Sequence, residues 1–205
     1  MTGSSAEGFE IERKWLLHRL PPRLEDPAGA PVRGGERWEI RQGYLAPPSE
    51  SDFATERDRV VPASEVPRVG RIREIRASDG SVRHVHTIKG GAGLVRREIE
   101  RTMTAAAFEG AWTRTAGRRI VKVRWRIPEA GLVWEVDRFR TPDLVLAEVE
   151  ATDRETALAI QPPAWLAACI DREVTDDPVF TNAELAFRSG GIGGETPIRG
   201  GGDSE

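Results

Sequence analysis

The sequence is poor in the features that mark several classes of protein. Its single cysteine, Cys169, excludes an intramolecular disulfide and a cluster of thiolate metal ligands. No apolar run approaches the roughly 20 residues that span a bilayer, and the residues at the start lack the basic and apolar regions of a signal peptide. From these absences we expect a cytoplasmic protein that makes no membrane contact.

An excess of charge of one sign is also lacking. The chain has 30 Lys and Arg against 33 Asp and Glu, so its formal net charge is only -3 although 31% of its residues are charged. This balance argues against a protein that wraps a nucleic-acid duplex with one basic surface. It leaves room for a local basic pocket.

The organisation of the chain predicts one domain. A length of 205 residues suits a single core, and the sequence has no repeat of about 20 to 50 residues. Two stretches read as irregular: the proline-rich residues 46–69 predict a long loop, and the glycine-rich residues 188–205 predict a disordered tail. We therefore expect one domain over residues 8–187.

Alternation of side-chain character predicts a mainly β (α+β) fold. Eight segments have a period of two, which is typical of strands with unlike faces: 9–16, 36–44, 70–76, 82–89, 94–103, 119–127, 132–139 and 144–151. Helical signals are fewer, and they fall at 104–113, at 152–160 with a capping box from Thr152 to Glu155, and at 182–187. Strands dominate, with a few peripheral helices.

Each of several predicted strands has one charged face. In 119–127, for example, Val121 and Val123 alternate with Lys122 and Arg124. An antiparallel sheet with one wet face is the simplest explanation. However, like charges two residues apart repel each other unless another group neutralises them, and this favours a sheet that closes into a barrel with the charges inside.

A closed barrel of this kind would enclose both acids and bases. Because isolated buried charges are costly, such a lumen has to hold water and ions. Carboxylate clusters select hard divalent cations such as Mg²⁺ and Mn²⁺, and arrays of Arg and Lys select phosphate oxygens. The two groups in one cavity indicate a metal-bound polyphosphate as ligand.

Short motifs along the chain resemble those of the CYTH superfamily, also called triphosphate tunnel metalloenzymes. The first is an ExExK pattern at residues 10–14. The others follow in the same order as in the family: RQGYL at 41–45, RxR at 71–73, TIKG at 87–90, ExE at 98–100, KxR at 122–124, WEVD at 134–137 and AEVE at 147–150. The likeness covers roughly residues 8–187 and is of the short bacterial type.

This resemblance implies a closed eight-stranded antiparallel tunnel that cleaves triphosphates with two divalent cations, Mg²⁺ or Mn²⁺. It implies a first metal ion held by Glu10, Glu12 and Glu150. It implies a second metal ion and an attacking water positioned by Asp137 and Glu148. It implies a phosphate clamp, whose first member is also assigned to catalysis, made of Lys14, Arg71, Arg73, Lys89, Lys122 and Arg124. Roles in orienting these cations, or in binding metal through water, are expected of Glu98, Glu100 and Glu135.

The expected reaction is hydrolysis of inorganic tripolyphosphate. Nucleoside or thiamine triphosphate hydrolysis, adenylyl cyclisation and non-catalytic polyphosphate binding are alternatives, and the resemblance also allows a homodimer. A carrier of apolar ligands would need an apolar lumen, which the alternation contradicts.

Three features lie outside the matched charged strands or depart from the family pattern. The loop at 46–69 is longer than in short family members, and we interpret it as an insertion rather than a cover for the tunnel mouth. Tyr44 is separated from Trp38 and Ile40 by an even number of residues, so the three side chains share one face of the predicted strand. This favours an outer-face position for Tyr44 over one near the tunnel mouth. By parity, His84 and His86 fall opposite Lys89, on the outer face.

Overall fold

The computed structural model describes residues 11–25, 34–48, 52, 60–90 and 97–190. In this part of the chain, no helix is both long enough and apolar enough to cross a membrane. The predicted tail lies almost entirely outside the described residues, and so does part of the predicted insertion.

In the described part of the chain, nine antiparallel strands form one sheet, in the order β5-β4-β3-β2-β6-β7-β8-β1-β9. The strands are β1 (Ile11–Leu17), β2 (Glu36–Tyr44), β3 (Arg71–Ala77), β4 (Val82–Gly90), β5 (Arg97–Met103), β6 (Arg119–Glu129), β7 (Leu132–Phe139), β8 (Leu144–Ala151) and β9 (Ile170–Glu173). All eight predicted strands are present, and the mainly β prediction is confirmed. The ninth strand was not predicted.

The prediction of a closed eight-stranded barrel is wrong, because the sheet is open and has nine strands. Among the described residues no ladder joins its two edge strands, β5 and β9. An eight-stranded barrel would have to close by pairing β1 with β5, and both of these strands have other partners. β9 pairs with β1 on the side away from β8. Val61 pairs with the end of β5, where its N–H donates to Thr102 O and its carbonyl accepts from Thr104 N.

The residues that the structure describes also form four α-helices: α1 (Ala105–Trp112), α2 (Arg154–Ala159), α3 (Ala164–Ala167) and α4 (Asn182–Ser189). Thr104 caps α1 by accepting from Ala107 N at 3.2 Å. The cap of α2 is Asp153, one residue after the predicted Thr152, and its carboxylate accepts from Thr156 N at 2.7 Å. The sequence predicted three of these helices and missed the short α3.

The outer face of the sheet carries two apolar clusters. Over β1, β6, β7 and β8, Trp15 and Trp134 pack with their ring centroids 5.6 Å apart and are covered by residues from α2 and α3. Over β3 and β5, Phe108 and Trp112 of α1 cover Ile72. Burial of these side chains is the main force that holds the helices against the sheet.

Gly43 marks a close approach between the sheet and the turn after α1. A Cβ atom at this position would lie 2.6 Å from Thr115 Oγ1, which is closer than real atoms allow. Glycine is therefore required at the centre of the RQGYL motif for packing on the outer face.

The opposite face also has an apolar part, at one end. There Leu185 and Ala186 of α4 pack against Ile120, Phe139 and Leu146. These three sheet residues have the same parity as the charged side chains farther along their strands. The helix thus covers one end of the face that carries the charges, and farther along the same face Ile40, Ile75 and Val85 are buried against one another.

Candidate functional site

The strand register brings the predicted site residues to one face, which we call the charged face. Directly opposed pairs share a face in an antiparallel sheet. Such pairs link the strands through Glu12 and Glu150, Lys14 and Glu148, Glu135 and Glu148, Arg124 and Asp137, Gln42 and Arg73, Arg71 and Thr87, and Thr87 and Glu100. Lys122 and Lys89 belong to the same face by parity.

Two of the expected site residues have side chains outside the described part of the structure. Glu10 lies outside the described residues, and the side chain of Glu98 is likewise outside them. Their roles therefore remain predictions.

A fully buried carboxylate organises the centre of the charged face. Asp137 Oδ1 accepts from Arg124 Nε at 2.7 Å, and Asp137 Oδ2 accepts from Arg124 Nη2 and Lys122 Nζ, each at 2.6 Å. Arg124 also pairs with Glu135 and, at 3.3 Å, with Glu148. Two cations and three carboxylates are thus held on three adjacent strands.

Burial and charge act against each other in this cluster. For Asp137, burial raises the pKa, but Arg124 and Lys122 outweigh it and lower the pKa to about 2. For Lys122, burial and the like charge of Arg124 lower the pKa to about 8 despite Asp137. Burial also lowers the pKa of Arg124, but its carboxylate partners raise it by more. At neutral pH Asp137 and Arg124 are therefore charged, and Lys122 is charged in most molecules.

Lys14 links this cluster to the carboxylates of β1 and β8. Its Nζ atom lies 3.1 Å from Glu148 Oε1 and 3.4 Å from Glu12 Oε1. Burial lowers the pKa of Lys14, but Glu148 and Glu12 together raise it above its usual value. Whereas Lys14 and Glu148 are buried, Glu12 and Glu150 are exposed, so the face opens to solvent at this end.

The cations of β3 and β4 lie in a more open setting. Arg73 donates to Glu100 Oε2 at 2.6 Å, and Arg71 donates to Thr87 Oγ1 at 3.4 Å. The Glu100 side chain is about half exposed, and Lys89 is exposed. These side chains form the part of the charged face on β3, β4 and β5, which we call the open wall.

Tyr44 does not lie on the outer face, so that interpretation is wrong. Its register partner is Arg71, and its hydroxyl accepts from Gln42 Nε2 at 2.7 Å. Burial raises its pKa, although Arg71 and Arg73 act to lower it. Tyr44 does share a face with Trp38 and Ile40, but that face is the charged face.

Asn182 contacts the site and was not predicted to do so. Its side-chain oxygen accepts from Lys122 Nζ at 3.0 Å. The sequence signal at this position indicated the start of a helix and gave no sign of its partner, which is 60 residues away.

The two histidines lie where parity placed them, on the outer face. His86 is buried between Val69 O at 2.8 Å and Arg101 Nη2 at 3.0 Å. His84 contacts Glu74 at 3.3 Å. Neither of them faces the charged cluster.

The acidic side chains suit a divalent cation that is also held by its substrate. In the part of the chain that the structure describes, no group of three or more His, Cys, Asp or Glu side chains is arranged to hold a metal ion. Glu12 and Glu150 nevertheless face each other across β1 and β8, and buried Glu148 Oε1 forms an ion pair with Lys14 Nζ at 3.1 Å that lacks hydrogen-bond geometry. Mg²⁺ is commonly bound by one or two carboxylates together with phosphate oxygens, and these residues fit that pattern.

Comparison with known proteins gives relatives over nearly the whole chain, although no protein-family profile matches the sequence. The inorganic triphosphatase of Nitrosomonas europaea is 31% identical over 184 residues, which cover 87% of this chain and 97% of that one. The inorganic triphosphatase of Acetivibrio thermocellus is 31% identical over 103 residues, 48% of this chain and 62% of that one. The crystal structure of the inorganic triphosphatase NE1496 matches 87% of this chain and 94% of its own, with 26% identity and a TM-score of 0.51.

Proposed function

The chain belongs to the inorganic triphosphatases of the CYTH superfamily, and we propose that it hydrolyses inorganic tripolyphosphate to pyrophosphate and phosphate on its charged face. The observation that carries this proposal is the register, which gathers cations and carboxylates from seven strands of the sheet on one face. A small-molecule triphosphate is the ligand that such a mixture of charges suits best.

We place the metal ions where the charged face meets solvent on β1 and β8. Glu12 and Glu150, together with Glu10, would hold the first of two divalent cations, Mg²⁺ or Mn²⁺, and Glu148 would help to position the second. When bound, such cations neutralise phosphate charge and lower the pKa of a bound water. Support comes from the opposed exposed carboxylates and from buried Glu148 Oε1, whose ion pair with Lys14 lacks hydrogen-bond geometry.

The contacts of Asp137 favour a different primary role for this residue. Both of its oxygens already accept hydrogen bonds from Arg124 or Lys122. We infer that Asp137 first of all orients these two cations. Its expected contribution to the second metal ion remains a prediction.

The cations divide the work of binding the phosphate chain. Arg71, Arg73 and Lys89 form the open wall, where they would contact phosphate oxygens directly. Lys122, whose side chain is only 2% exposed, and Lys14 are held deeper by carboxylates. Fixed charges in a buried site stabilise developing negative charge without having to reorganise.

The proposed reaction needs no covalent intermediate. Water attacks a terminal phosphorus, the bond from that phosphorus to the bridging oxygen breaks, and pyrophosphate leaves with the electron pair. Phosphoryl transfer of this kind depends on positioning and charge neutralisation, which the clustered cations supply.

A phosphate-release panel tests the proposal. Tripolyphosphate, ATP, GTP, thiamine triphosphate and pyrophosphate are each supplied with Mg²⁺, with Mn²⁺ or with excess chelator. We expect tripolyphosphate with a divalent cation to give the highest kcat/KM, and chelation to abolish turnover. Preference for an organic triphosphate would contradict the assigned substrate, and full activity under chelation would contradict the metal sites.

A further inference from the structure

We propose that Asn182 is a positioning residue of the triphosphatase site, which fixes the ammonium group of Lys122 behind the bound phosphate chain. The inference rests on the proposed function, because that function gives the charge of Lys122 its task. It adds the C-terminal helix α4 to the parts of the chain that build the site.

The geometry at Lys122 leaves little freedom to its ammonium group. A lysine has three N–H donors. One donates to Asp137 Oδ2 at 2.6 Å and another to Asn182 Oδ1 at 3.0 Å, while the ring of Phe139 lies 5.2 Å away. Asp137 comes from β7 and Asn182 from α4, so the two acceptors hold the group from different elements.

The chemistry of an amide suits this position better than the alternatives. An apolar side chain would leave a buried N–H donor without its acceptor. A carboxylate would accept the bond, but it would offset the positive charge that a phosphate chain needs. Asparagine satisfies the donor and leaves the charge of Lys122 intact.

Helix α4 does not depend on this hydrogen bond for its own packing. Leu185 and Ala186 bury against Ile120 and Phe139, and the hydroxyl of Thr181 caps the helix by accepting from Glu184 N at 3.3 Å. Loss of the Asn182 amide should therefore leave the fold in place, so an effect on turnover can be separated from an effect on stability.

Two variants at the same position separate the hydrogen bond from the charge. Asn182→Leu removes the acceptor at similar size, and we expect kcat with tripolyphosphate and Mg²⁺ to fall about tenfold or more. Asn182→Asp keeps the acceptor and adds a negative charge, so kcat should recover towards the parent while KM rises. Glu184→Leu, which places the same new side chain at an exposed position of the same helix, is the matched control and should leave both constants unchanged.

A measurement without substrate makes the two proposals separable. The ¹H–¹⁵N correlation signal of the Lys122 ammonium group, recorded at about pH 6, should be present in the parent and in Asn182→Asp but lost in Asn182→Leu. A parent that is inactive on tripolyphosphate would refute the proposed function, while the ammonium signal would still report on the contact. Unchanged kcat, KM and ammonium signal in Asn182→Leu would overturn the inference.

Discussion

The two walls of the charged face differ in how their charges are held. In the paired half, formed by β6, β7, β8 and β1, Lys122, Arg124 and Asp137 are buried and bound to one another. In the open half, formed by β3, β4 and β5, Arg73 pairs with a half-exposed Glu100, and Lys89 is exposed. The paired half is preorganised before any ligand arrives, whereas the open half is free to adapt to one.

This difference follows from what covers each half. Apolar residues from α2, α3 and α4 pack on the strands of the paired half from both sides. The open half has α1 on its outer face only and ends in an edge strand. We therefore expect changes of buried charges in the paired half to affect stability and turnover together, and changes on the charged face of the open half to affect mainly substrate binding.

The largest expected effect is on stability, from Asp137→Ala in the paired half. The change leaves Lys122 and Arg124 as buried like charges without their shared partner. Removal of one member of a buried ion pair costs about 3–5 kcal/mol, and urea unfolding should show a loss of this size. Asp143→Ala removes an exposed carboxylate 3.9 Å from Arg138 and should cost less than about 0.5 kcal/mol. Equal effects of the two changes would show that the buried ion pairs of Asp137 contribute no more to stability than an exposed ion pair does.

The next effect is on catalysis, from Glu12→Gln at the exposed end of the paired half. The substitution removes a charge with little change in shape, so the fold should remain while kcat falls about 100-fold or more. Phosphate release at saturating Mg²⁺ measures the loss, and circular dichroism checks the fold. Glu155→Gln, on an exposed turn of α2, serves as control. Wild-type turnover in Glu12→Gln would refute the first metal site.

Arg73→Ala tests the open half and should have a smaller effect. We expect the dissociation constant for tripolyphosphate to rise about tenfold, because one charge-assisted contact is lost. The dependence of binding on ionic strength should become shallower. Calorimetry gives both quantities, and the melting temperature should stay close to that of the parent. Unchanged binding would mean that Arg73 does not face the substrate.

The smallest effect concerns acid stability on the outer face of the open half. Burial lowers the pKa of His86, and the neighbouring Arg101 lowers it further, although Val69 O opposes this. The unfolded chain then takes up a proton more readily than the folded one below about pH 6.5. Stability should be complete above that pH and should fall as the pH drops below it, by at most about 1.4 kcal/mol per pH unit.

His86→Gln is the variant that tests this pH dependence. It should flatten the acid side of a plot of unfolding free energy against pH, measured by urea titration from pH 5 to 8. The exposed His18 provides the control, and His18→Gln should retain the slope of the parent. A slope in His86→Gln equal to that of the parent would assign the acid sensitivity to other groups.

Sequence alternation predicted the strands and their charged face because side chains along a strand point to opposite sides with a period of two. Parity alone does not say where a charged face ends. Trp38, Ile40 and Tyr44 share that face with Lys122, and their apolar character suggested the opposite side.

Closure could not be predicted from the same pattern. It depends on which segments occupy the edges of the sheet, and here these are β9 and the residues around Val61. The contact between Asn182 and Lys122 escaped prediction for a similar reason, since it arises from the docking of a helix on a distant strand.

The position of β1 between β8 and β9 has a consequence for how the protein is made. Among the described residues this strand is the first, yet it pairs Glu12 with Glu150 and Trp15 with Glu173. A ribosome must synthesise almost the whole domain before β1 meets either neighbour, and pairing over such separations is slow. The carboxylates at the exposed end of the charged face therefore come together late, and a nascent chain assembles its proposed metal-binding residues only after β8 has been synthesised.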